Sequence, residues 1–407
     1  MRYGRLLSVE PAGTIIQLPE RRPLMYKRLS CIALAAFAFA FVLSCDKNGG
    51  NKFDPGLEAE LREIVHSYKD EFGIPGIIAG VWIPGKGNLV IEDGVGDIET
   101  GAPVRKDDHV RIGSVTKSFT VTVILQLAEE GLIGLDDPVG DYLPGVENPG
   151  ATIAELANMR SGIFNYTEDA EFVTEFVESD FLRVWTDQEL VDVADRNVPY
   201  FPPGGGWHYS NTNTVILGMI VEQVTGRSLG EEITDRIIAP LGLGGTSYPT
   251  TPDMPLPFAH GYGFEPPEDI SFCDPSSSAG SGAMISRLGD LKKWGEALGS
   301  GSLLSEELQA ERISSLSPIV YDPCDDDDPD REKRSCPEYD RYGLGIGELS
   351  GWIGHTGEYI GYTNLVMYEP GSGAVVVIIA NRFGVGEHVP TAIFREFAEV
   401  LNPELQE

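Results

Sequence analysis

Basic residues are scarce in this chain. Only 30 of its 407 residues are Lys or Arg, against 63 Asp and Glu, so the formal net charge at pH 7 is −33. A surface with this charge repels a phosphate backbone, which excludes non-specific binding to nucleic acid. Hydrophobic residues at 42% and charged residues at 23% are ordinary for a globular protein and exclude a disordered or fibrous chain. The length allows one large domain or two interleaved ones.

Long apolar runs are missing as well. The most continuous one, residues 31–43, has 13 residues and is too short to span a bilayer as a helix. It follows two basic residues and ends at Ser44-Cys45, which resembles a bacterial lipoprotein signal. We therefore expect residues 25–45 to be a signal peptide with a lipobox, and Cys45 to be lipidated. The alternatives are simple secretion with cleavage nearby and an uncleaved anchor.

This signal predicts an exported protein of the periplasm or cell envelope, attached to the membrane only through the lipid. Residues 1–24 precede the signal, and Met25 is a candidate for the true start. The sequence leaves open whether this extension is translated. We expect residues 46–56 to form a short flexible tether to the folded domain.

Cysteine occurs only five times, and two of the five lie in the predicted signal. Cys324 and Cys336 flank an acidic run at residues 325–330, and we expect a disulfide between them outside the cytosol, with two free thiols as the alternative. Cys273 is expected to be a small buried hydrophobe. The acidic run lacks the Gly and the distal Glu of an EF-hand loop, so we expect a solvated loop rather than a calcium site.

Hydrophobic periodicity predicts an interleaved α/β organisation without internal repeats. Strands near both ends of the chain, with helices between them, indicate one sheet built from both ends and a helical region inserted in the middle. The folded domain is expected to span residues 57–401. The pattern predicts helices at 55–72, 118–130 and 391–401, and strands at 76–83, 88–91, 364–368 and 374–380.

The first motif whose residues could take part in catalysis is Ser114-Val115-Thr116-Lys117. Helical positions i and i+3 share a face, so the Lys117 amine can reach the Ser114 hydroxyl. A serine becomes a good nucleophile when a base removes its proton, and Lys can do so if its pKa is lowered. The alternative is a helix N-cap Ser followed by a solvated Lys. Ser44 and Lys47 have the same spacing, so the spacing alone is not specific.

Two further motifs follow in the chain. In Tyr209-Ser210-Asn211, the phenol of Tyr209 can relay a proton and the amide of Asn211 can hold a substrate carbonyl, although such loops are often turns. His355-Thr356-Gly357 stands before the terminal hairpin, where Gly357 would let a substrate backbone approach an edge strand. A single His is more often a surface or hydrogen-bonded residue.

Taken in this order, the three motifs resemble those of the serine β-lactamase and penicillin-recognising hydrolase family. The branch holds class C β-lactamases, D-alanyl-D-alanine carboxypeptidases, D-aminopeptidases and related esterases. The resemblance covers about residues 57 to 400 and implies an α/β (α+β) β-lactamase/transpeptidase-like fold. That fold is a mainly antiparallel sheet flanked by helices, with a mostly helical insertion at about 121–285. The most similar segments are 111–120, 131–139, 201–226, 240–243 and 354–381.

The resemblance also implies roles for the residues of the first two motifs. Ser114 would be the nucleophile that accepts the acyl group, and Lys117 its candidate base. Tyr209 would be the second proton-transfer group, and the sequence leaves open which of Lys117 and Tyr209 is the base. Asn211 would position the substrate amide.

The third motif would form the strand side of the pocket. The resemblance implies that His355, Thr356 and Gly357 line it, and that the backbone N–H groups of Ser114 and Glu358 form the oxyanion hole. Typical class C β-lactamases carry Lys in place of His355, and His-Thr-Gly resembles the carboxypeptidase and D-peptidase members. A neutral His would hold a substrate carboxylate less firmly than Lys. We expect Glu358 to crowd the pocket or to disfavour anionic substrates.

The predicted function is that of a serine hydrolase working through an acyl-enzyme at Ser114, without a metal or organic cofactor. A peptide with D-configured residues near the cell wall is the leading substrate class, which corresponds to a D-stereospecific peptidase or carboxypeptidase. A small-acyl esterase and a β-lactamase are the alternatives among enzymes. A non-catalytic ligand-binding sensor is the alternative outside enzymes. The partner is a small-molecule or peptide substrate, and the sequence leaves the oligomeric state open.

Overall fold

The computed structural model describes residues 53–319, 339–386 and 388–405. These residues belong to one compact unit that spans Lys52–Glu407. The strands are β1 (Gly76–Ile83), β2 (Gly87–Asp97), β3 (Ala102–Pro103), β4 (Val110–Arg111), β5 (Tyr262–Gly263), β6 (Glu268–Asp269), β7 (Ile285–Ser286), β8 (Ser317–Pro318), β9 (Arg341–Tyr342), β10 (Gly347–Leu349), β11 (Trp352–Tyr359), β12 (Tyr362–Tyr368) and β13 (Val375–Ala380).

Most of these strands form one antiparallel sheet with the order β3-β2-β1-β13-β12-β11-β10-β9-β8. β4 pairs with β7 and β5 with β6 in two small sheets. The helices are α1 (Pro55–Glu71), α2 (Val115–Glu129), α3 (Ile153–Ala157), α4 (Ala170–Glu178), α5 (Asp187–Asp195), α6 (Asn211–Thr225), α7 (Leu229–Ile233), α8 (Ala239–Leu241), α9 (Leu288–Ser300), α10 (Glu306–Ser314) and α11 (Val389–Leu405). Short 3₁₀ turns lie at Val139–Asp141, Tyr166–Glu168, Pro275–Ser277 and Ala279–Ser281, and a π-helical turn at Thr234–Ile238.

Helices cover both faces of the sheet, and this explains why its central strands are apolar throughout. On one face, Ile77 and Ile378 pack with Leu61 of α1 and Phe394 of α11 in one buried cluster. On the other face, alternate residues of β1 and β13 join a second cluster with α2 and α9. Side chains alternate between the faces of a strand, so a strand covered on both sides is apolar at every position.

The sheet is built from the two ends of the chain, as the sequence predicts. β1 pairs with β13 in the register Ile77↔Ala380 to Trp82↔Val375, and the helices α2 to α10 all lie between them in the chain. The predicted fold class is confirmed. β2 is longer than the strand predicted at 88–91. It continues past a register shift between Val95 and Asp97 and pairs there with β3.

Several predictions fall on residues that the structure does not describe. The signal at 25–45 with Cys45, the acidic run, and the Cys324–Cys336 pair lie outside the described residues and stay predictions. Cys273 is described and is fully buried as a free cysteine, as expected, and burial raises the pKa of its thiol to about 11. Among the described residues, no helix is both long and apolar enough to cross a membrane.

Candidate active site

Ser114 stands directly before α2, in a segment that is pressed against β11. Two glycines make this close approach feasible. A Cβ atom on Gly113, whose φ is +49°, would lie 2.5 Å from the backbone oxygen of Glu358. A Cβ atom on Gly357 would lie 2.1 Å from the backbone oxygen of Ile112. Because both distances are far below van der Waals contact, the two backbones can meet only where side chains are absent.

Ser114 occupies the N-cap position of α2, but within the described chain its side chain makes no capping hydrogen bond. One turn later, Lys117 is completely buried, and its Nζ lies 2.9 Å from Ser114 Oγ. α2 is buried on nearly all sides, so the lysine has no route to solvent along the helix. The alternative of a capping Ser with a solvated Lys is therefore wrong.

Three oxygen atoms surround the side-chain nitrogen of Lys117. Besides Ser114 Oγ, Nζ donates to Asn211 Oδ1 at 2.6 Å and to the backbone oxygen of Ser281 at 2.8 Å. A protonated lysine can donate to all three oxygens, whereas the neutral amine donates to two of them and accepts from the Ser114 hydroxyl. Nζ also lies 4.9 Å from the ring centroid of Tyr209, within the range of a cation–π contact. The structure thus brings together the four residues predicted from the first two motifs.

The start of α6 places Asn211 and Tyr209. Asn211 is the first residue of α6; its backbone N–H donates to Asn165 Oδ1 at 3.0 Å, and its Nδ2 donates to Thr167 Oγ1 at 3.1 Å. These contacts turn the amide oxygen of Asn211 towards Lys117. Tyr209 is half-buried, and its ring packs edge-on against Tyr342 with 6.1 Å between the centroids.

His355 lies beneath the site, not at its surface. The ring is fully buried; Nε2 lies 2.9 Å from the hydroxyl of Tyr342, and Nδ1 lies 3.1 Å from that of Tyr339 and 2.6 Å from the backbone oxygen of Thr356. Burial lowers the pKa of His355 to about 3; the Thr356 carbonyl opposes this shift, and the charge of Lys117 adds to it. The ring is therefore neutral at physiological pH. Its covered position differs from the pocket-lining His that the sequence predicts, and its contact with substrate stays a prediction.

The pairing of β11 with β10 ends at Gly354, and beyond it the edge of β11 that faces away from β12 is turned to the site. Thr356 donates its backbone N–H to the Tyr339 hydroxyl at 2.9 Å, and its Oγ1 lies 2.6 Å from the same hydroxyl. Amides of alternate strand residues point to the same edge, so the N–H of Glu358 has the same direction as that of Thr356. A Cβ on Gly113 would lie 2.8 Å from this nitrogen. The backbones of Ser114 and Glu358 are therefore neighbours, as the sequence predicts.

The charges around the site are mainly negative. Glu358 has an exposed side chain on β11. Across the site, Glu168 follows Thr167, and its carboxylate accepts hydrogen bonds from Tyr200 (2.6 Å) and Asn165 (3.1 Å). In the described part of the chain, no group of three or more His, Cys, Asp and Glu residues could hold a metal ion.

Sequence reasoning missed the residues that hold the motifs in place. These are the tyrosines around His355, the carbonyl that accepts from Lys117, and the polar residues that orient Asn211. Tertiary folding brings them to the site from distant segments. The one hint in the sequence is that Tyr339 and Tyr342 lie shortly before β11, which carries the third motif. The missed residues are Asn165, Thr167, Ser281, Tyr339 and Tyr342.

Among curated proteins, the chain is similar to penicillin-binding protein 4* of Bacillus subtilis (strain 168), with 28% identity over 244 residues, which is 56% of this chain and 52% of the relative. It is also similar to a D-aminopeptidase of Brucella anthropi, with 31% identity over 196 residues, which is 47% of this chain and 36% of the relative. The chain thus spans about half or less of the length of these curated relatives.

Among solved structures, a D-stereospecific amidohydrolase from Streptomyces sp. has 33% identity and a TM-score of 0.69, covering 83% of this chain and 96% of its own. D-amino acid amidase from Ochrobactrum anthropi SV3 with D-phenylalanine shares the fold, with a TM-score of 0.74, 23% identity, and coverage of 86% of this chain and 99% of its own. The sequence profile of the Beta-lactamase family matches residues 61–399. The resemblance seen in the sequence is confirmed, and the chain belongs to the Beta-lactamase family.

Proposed function

We propose that this protein is a serine hydrolase that works through an acyl-enzyme at Ser114. The observation that supports it best is the buried Lys117, whose Nζ lies 2.9 Å from Ser114 Oγ and is fixed by two further acceptors. The nucleophile and the orienting Asn211 both lie within hydrogen-bond reach of the candidate base, which is the arrangement that activates a serine.

In the proposed reaction, Ser114 Oγ attacks the carbonyl carbon of the substrate and loses its proton either to Lys117 as the neutral amine or to Tyr209 as the phenolate. The oxyanion that forms accepts hydrogen bonds from the backbone N–H groups of Ser114 and Glu358, each worth about 2.7–4 kcal/mol of barrier. The intermediate collapses, the C–N or C–O bond breaks, and the leaving group takes up the proton. Water then attacks the ester on Ser114 and releases the acid.

The choice between the two bases can be tested with Tyr209→Phe. If Lys117 is the base, this variant keeps its rate of Ser114 acylation within about tenfold; if Tyr209 is the base, the rate falls by about 10²–10⁴-fold. Acylation is measured as the rate of labelling by a fluorophosphonate. Tyr68→Phe is a suitable control, because the hydroxyl of Tyr68 bonds Glu396 on α11, away from the site.

For the substrate, we propose a peptide or amide with a D-configured residue at the scissile bond. The D-aminopeptidase relatives and the D-stereospecific amidohydrolase support this class. The neutral His355 and the exposed carboxylate of Glu358 disfavour a free carboxylate near the reacting carbonyl. Among D-peptidases, this favours cleavage next to a neutral or amine-bearing residue over release of a C-terminal residue with its free carboxylate.

A small-acyl esterase is the second candidate. The observation that favours it is again the neutral, covered His355, which offers no positive charge to a peptide carboxylate and leaves esters unaffected. An ester also has a better leaving group than an amide, so it needs less assistance from a proton donor.

The test compares D- and L-phenylalanine p-nitroanilide with p-nitrophenyl acetate, using the wild type and Ser114→Ala. We expect the D-anilide to be cleaved at least about 100-fold faster than the L-anilide, and both D-anilide and ester hydrolysis to be lost in Ser114→Ala. Hydrolysis of the ester alone would favour the esterase. Retained activity in Ser114→Ala would contradict the acyl-enzyme.

Intact-mass spectrometry with a penicillin separates the remaining alternatives. A persistent adduct on Ser114 with the mass of the drug indicates slow deacylation, as expected for a D-peptidase. Disappearance of the drug without an adduct would indicate a β-lactamase. Tight binding of a D-peptide without labelling or turnover, unchanged by Ser114→Ala, would indicate a ligand sensor.

We further propose that the enzyme works at the cell envelope, held by a lipid on Cys45. The support is the sequence pattern alone: basic residues, a short apolar run, and a small residue before the cysteine. Substrates of the proposed class occur in the bacterial cell wall, so the location and the chemistry agree.

A further inference from the structure

His388 is a buried histidine on the far side of the peptide bond that joins Gly357 to Glu358. It directly precedes α11, and its Nε2 lies 3.2 Å from the backbone oxygen of Gly357. In a trans peptide the C=O and the N–H point in opposite directions. The carbonyl of this peptide therefore points to His388, and its N–H, from Glu358, points to the edge where Ser114 lies.

The partners of the other ring nitrogen determine where the proton is. The backbone N–H of Thr391 is shared between the backbone oxygen of His388 at 2.9 Å and His388 Nδ1 at 3.3 Å, and the Thr391 hydroxyl lies 2.8 Å from Nδ1. A backbone N–H can only donate, so Nδ1 of the neutral ring is an acceptor and Nε2 carries the hydrogen. The contact with Gly357 is thus a donated N–H···O=C hydrogen bond.

We propose that His388 is a positioning residue for the oxyanion hole, an inference that rests on the proposed acyl-enzyme chemistry. Its hydrogen bond fixes the peptide between Gly357 and Glu358 in rotation and draws electron density towards the carbonyl oxygen. The N–H of Glu358 becomes a stronger donor as a result, because linked hydrogen bonds polarise one another.

The first turn of α11 contributes to this effect. The N-terminus of a helix carries a partial positive charge, and the Thr391 N–H belongs to that turn. The imidazole of His388 thereby connects the positive end of a 17-residue helix to the amide that faces the developing oxyanion. Gly357 pairs with Asn364 of β12 in the sheet, so its carbonyl uses its second lone pair for His388.

Three variants test this role. His388→Leu removes the donor at similar size, whereas His388→Gln retains an N–H that reaches the carbonyl. His66→Leu is the matched control, because it makes the same substitution at a histidine of α1 whose ring nitrogen lies 2.9 Å from Asp93 Oδ2, outside the site. We expect His388→Leu to lower kcat and kcat/KM for p-nitrophenyl acetate by about tenfold each, with KM unchanged, since the interaction acts in the transition state. His388→Gln should recover most of the loss, and His66→Leu should stay within about threefold of the wild type.

The inhibition constant of a transition-state analogue separates this role from a merely structural one, which would leave that constant unchanged. Phenylboronic acid forms a tetrahedral adduct with serine, so its Ki should rise in His388→Leu by the same factor as kcat/KM falls. Rates are divided by the fraction of Ser114 that a fluorophosphonate labels, which corrects for unfolded protein. If His388→Leu does not fold, His388→Asn, which is too short to reach the carbonyl, takes its place.

Equal corrected rates in all variants would overturn the proposal, as would a loss confined to KM. So would a loss in His66→Leu as large as in His388→Leu. Failure of the proposed function is a separate result: a wild-type protein that neither takes the fluorophosphonate on Ser114 nor hydrolyses the ester or the anilides has no acyl-enzyme, and the role of His388 falls with it.

Discussion

At the scale of single residues, the site combines a buried lysine with a neutral imidazole. Lys117 has three oxygen acceptors, whereas the His355 ring is covered by Tyr339, Tyr342 and the backbone. A histidine that loses its charge on folding makes the protein sensitive to acid in a way that a lysine at the same position would not.

The pH dependence of stability follows from this. The pKa of His355 falls from 6.5 in the unfolded chain to about 3 in the folded one, so its contribution is complete above pH 6.5 and is lost as the pH falls towards 3. We expect the free energy of unfolding to fall by about 1.4 kcal/mol per pH unit more in the wild type than in His355→Gln over this window. Urea unfolding at pH 7, 5.5 and 4.5 measures the difference. Parallel curves for the two proteins would contradict the buried, neutral histidine.

Glu358 is the second residue whose charge we expect to matter. Its side chain is exposed beside the site, so it repels substrates with a carboxylate near the reacting carbonyl. We expect Glu358→Gln to raise kcat/KM for N-succinyl-D-phenylalanine p-nitroanilide by about three- to tenfold at low salt, with no change for p-nitrophenyl acetate. Glu71→Gln, at the exposed end of α1, is the control. An equal gain for both substrates would indicate relief of crowding and not of charge.

At the scale of elements, the site depends on how closely β11 approaches the segment before α2. Neither element forms the site alone: the N-cap and first turn of α2 supply Ser114 and Lys117, and β11 brings the amide of Glu358 to the same place. The contact is made by backbone atoms, so it has no side chain that could adapt to a change.

Gly357→Ala tests this contact. Its Cβ would lie 2.1 Å from the backbone oxygen of Ile112, so β11 must move away from Ser114. We expect labelling of Ser114 by a fluorophosphonate to slow by at least about 100-fold, since an oxyanion donor is displaced, and the protein to lose about 1–3 kcal/mol of stability. Gly289→Ala is the matched control, because a Cβ on this residue of α9 meets nothing within 4 Å. Wild-type labelling in Gly357→Ala would mean that the contact is not needed.

The sequence predicts these elements better than it predicts their contacts. The apolar runs of β1 and β13 and the helical face of α1 follow from periodicity. Ser114, Lys117 and Tyr209 follow from the resemblance of the three motifs, in their order along the chain, to those of the family. Ser281 is 164 positions away from Lys117 along the chain, and no local pattern connects the two. The burial of His355 cannot be predicted from the sequence for the same reason, because tertiary folding brings the tyrosines that cover its ring into contact with it.

At the scale of the whole molecule, the predicted lipid anchor decides where the enzyme works. We expect a protein expressed from Met25 in a bacterium to be found in the membrane fraction, and Cys45→Ala to shift it to the soluble periplasmic fraction. Mass analysis of the N-terminal peptide checks whether Cys45 is lipidated. Cys273→Ala is the control, since that cysteine is buried in the folded domain. Membrane attachment that persists in Cys45→Ala would favour the uncleaved anchor.

The pairing of β1 with β13 also sets the order in which the molecule can be made. During synthesis, the hairpin of β1 and β2 leaves the ribosome long before β13, and the edge of β1 that will receive β13 stays open until about 280 further residues have followed. Such a long loop must close before the sheet is complete, which makes folding slow. A chain of this design finishes folding only after its last strand has emerged, and this delay is what the export implied by the predicted signal would require.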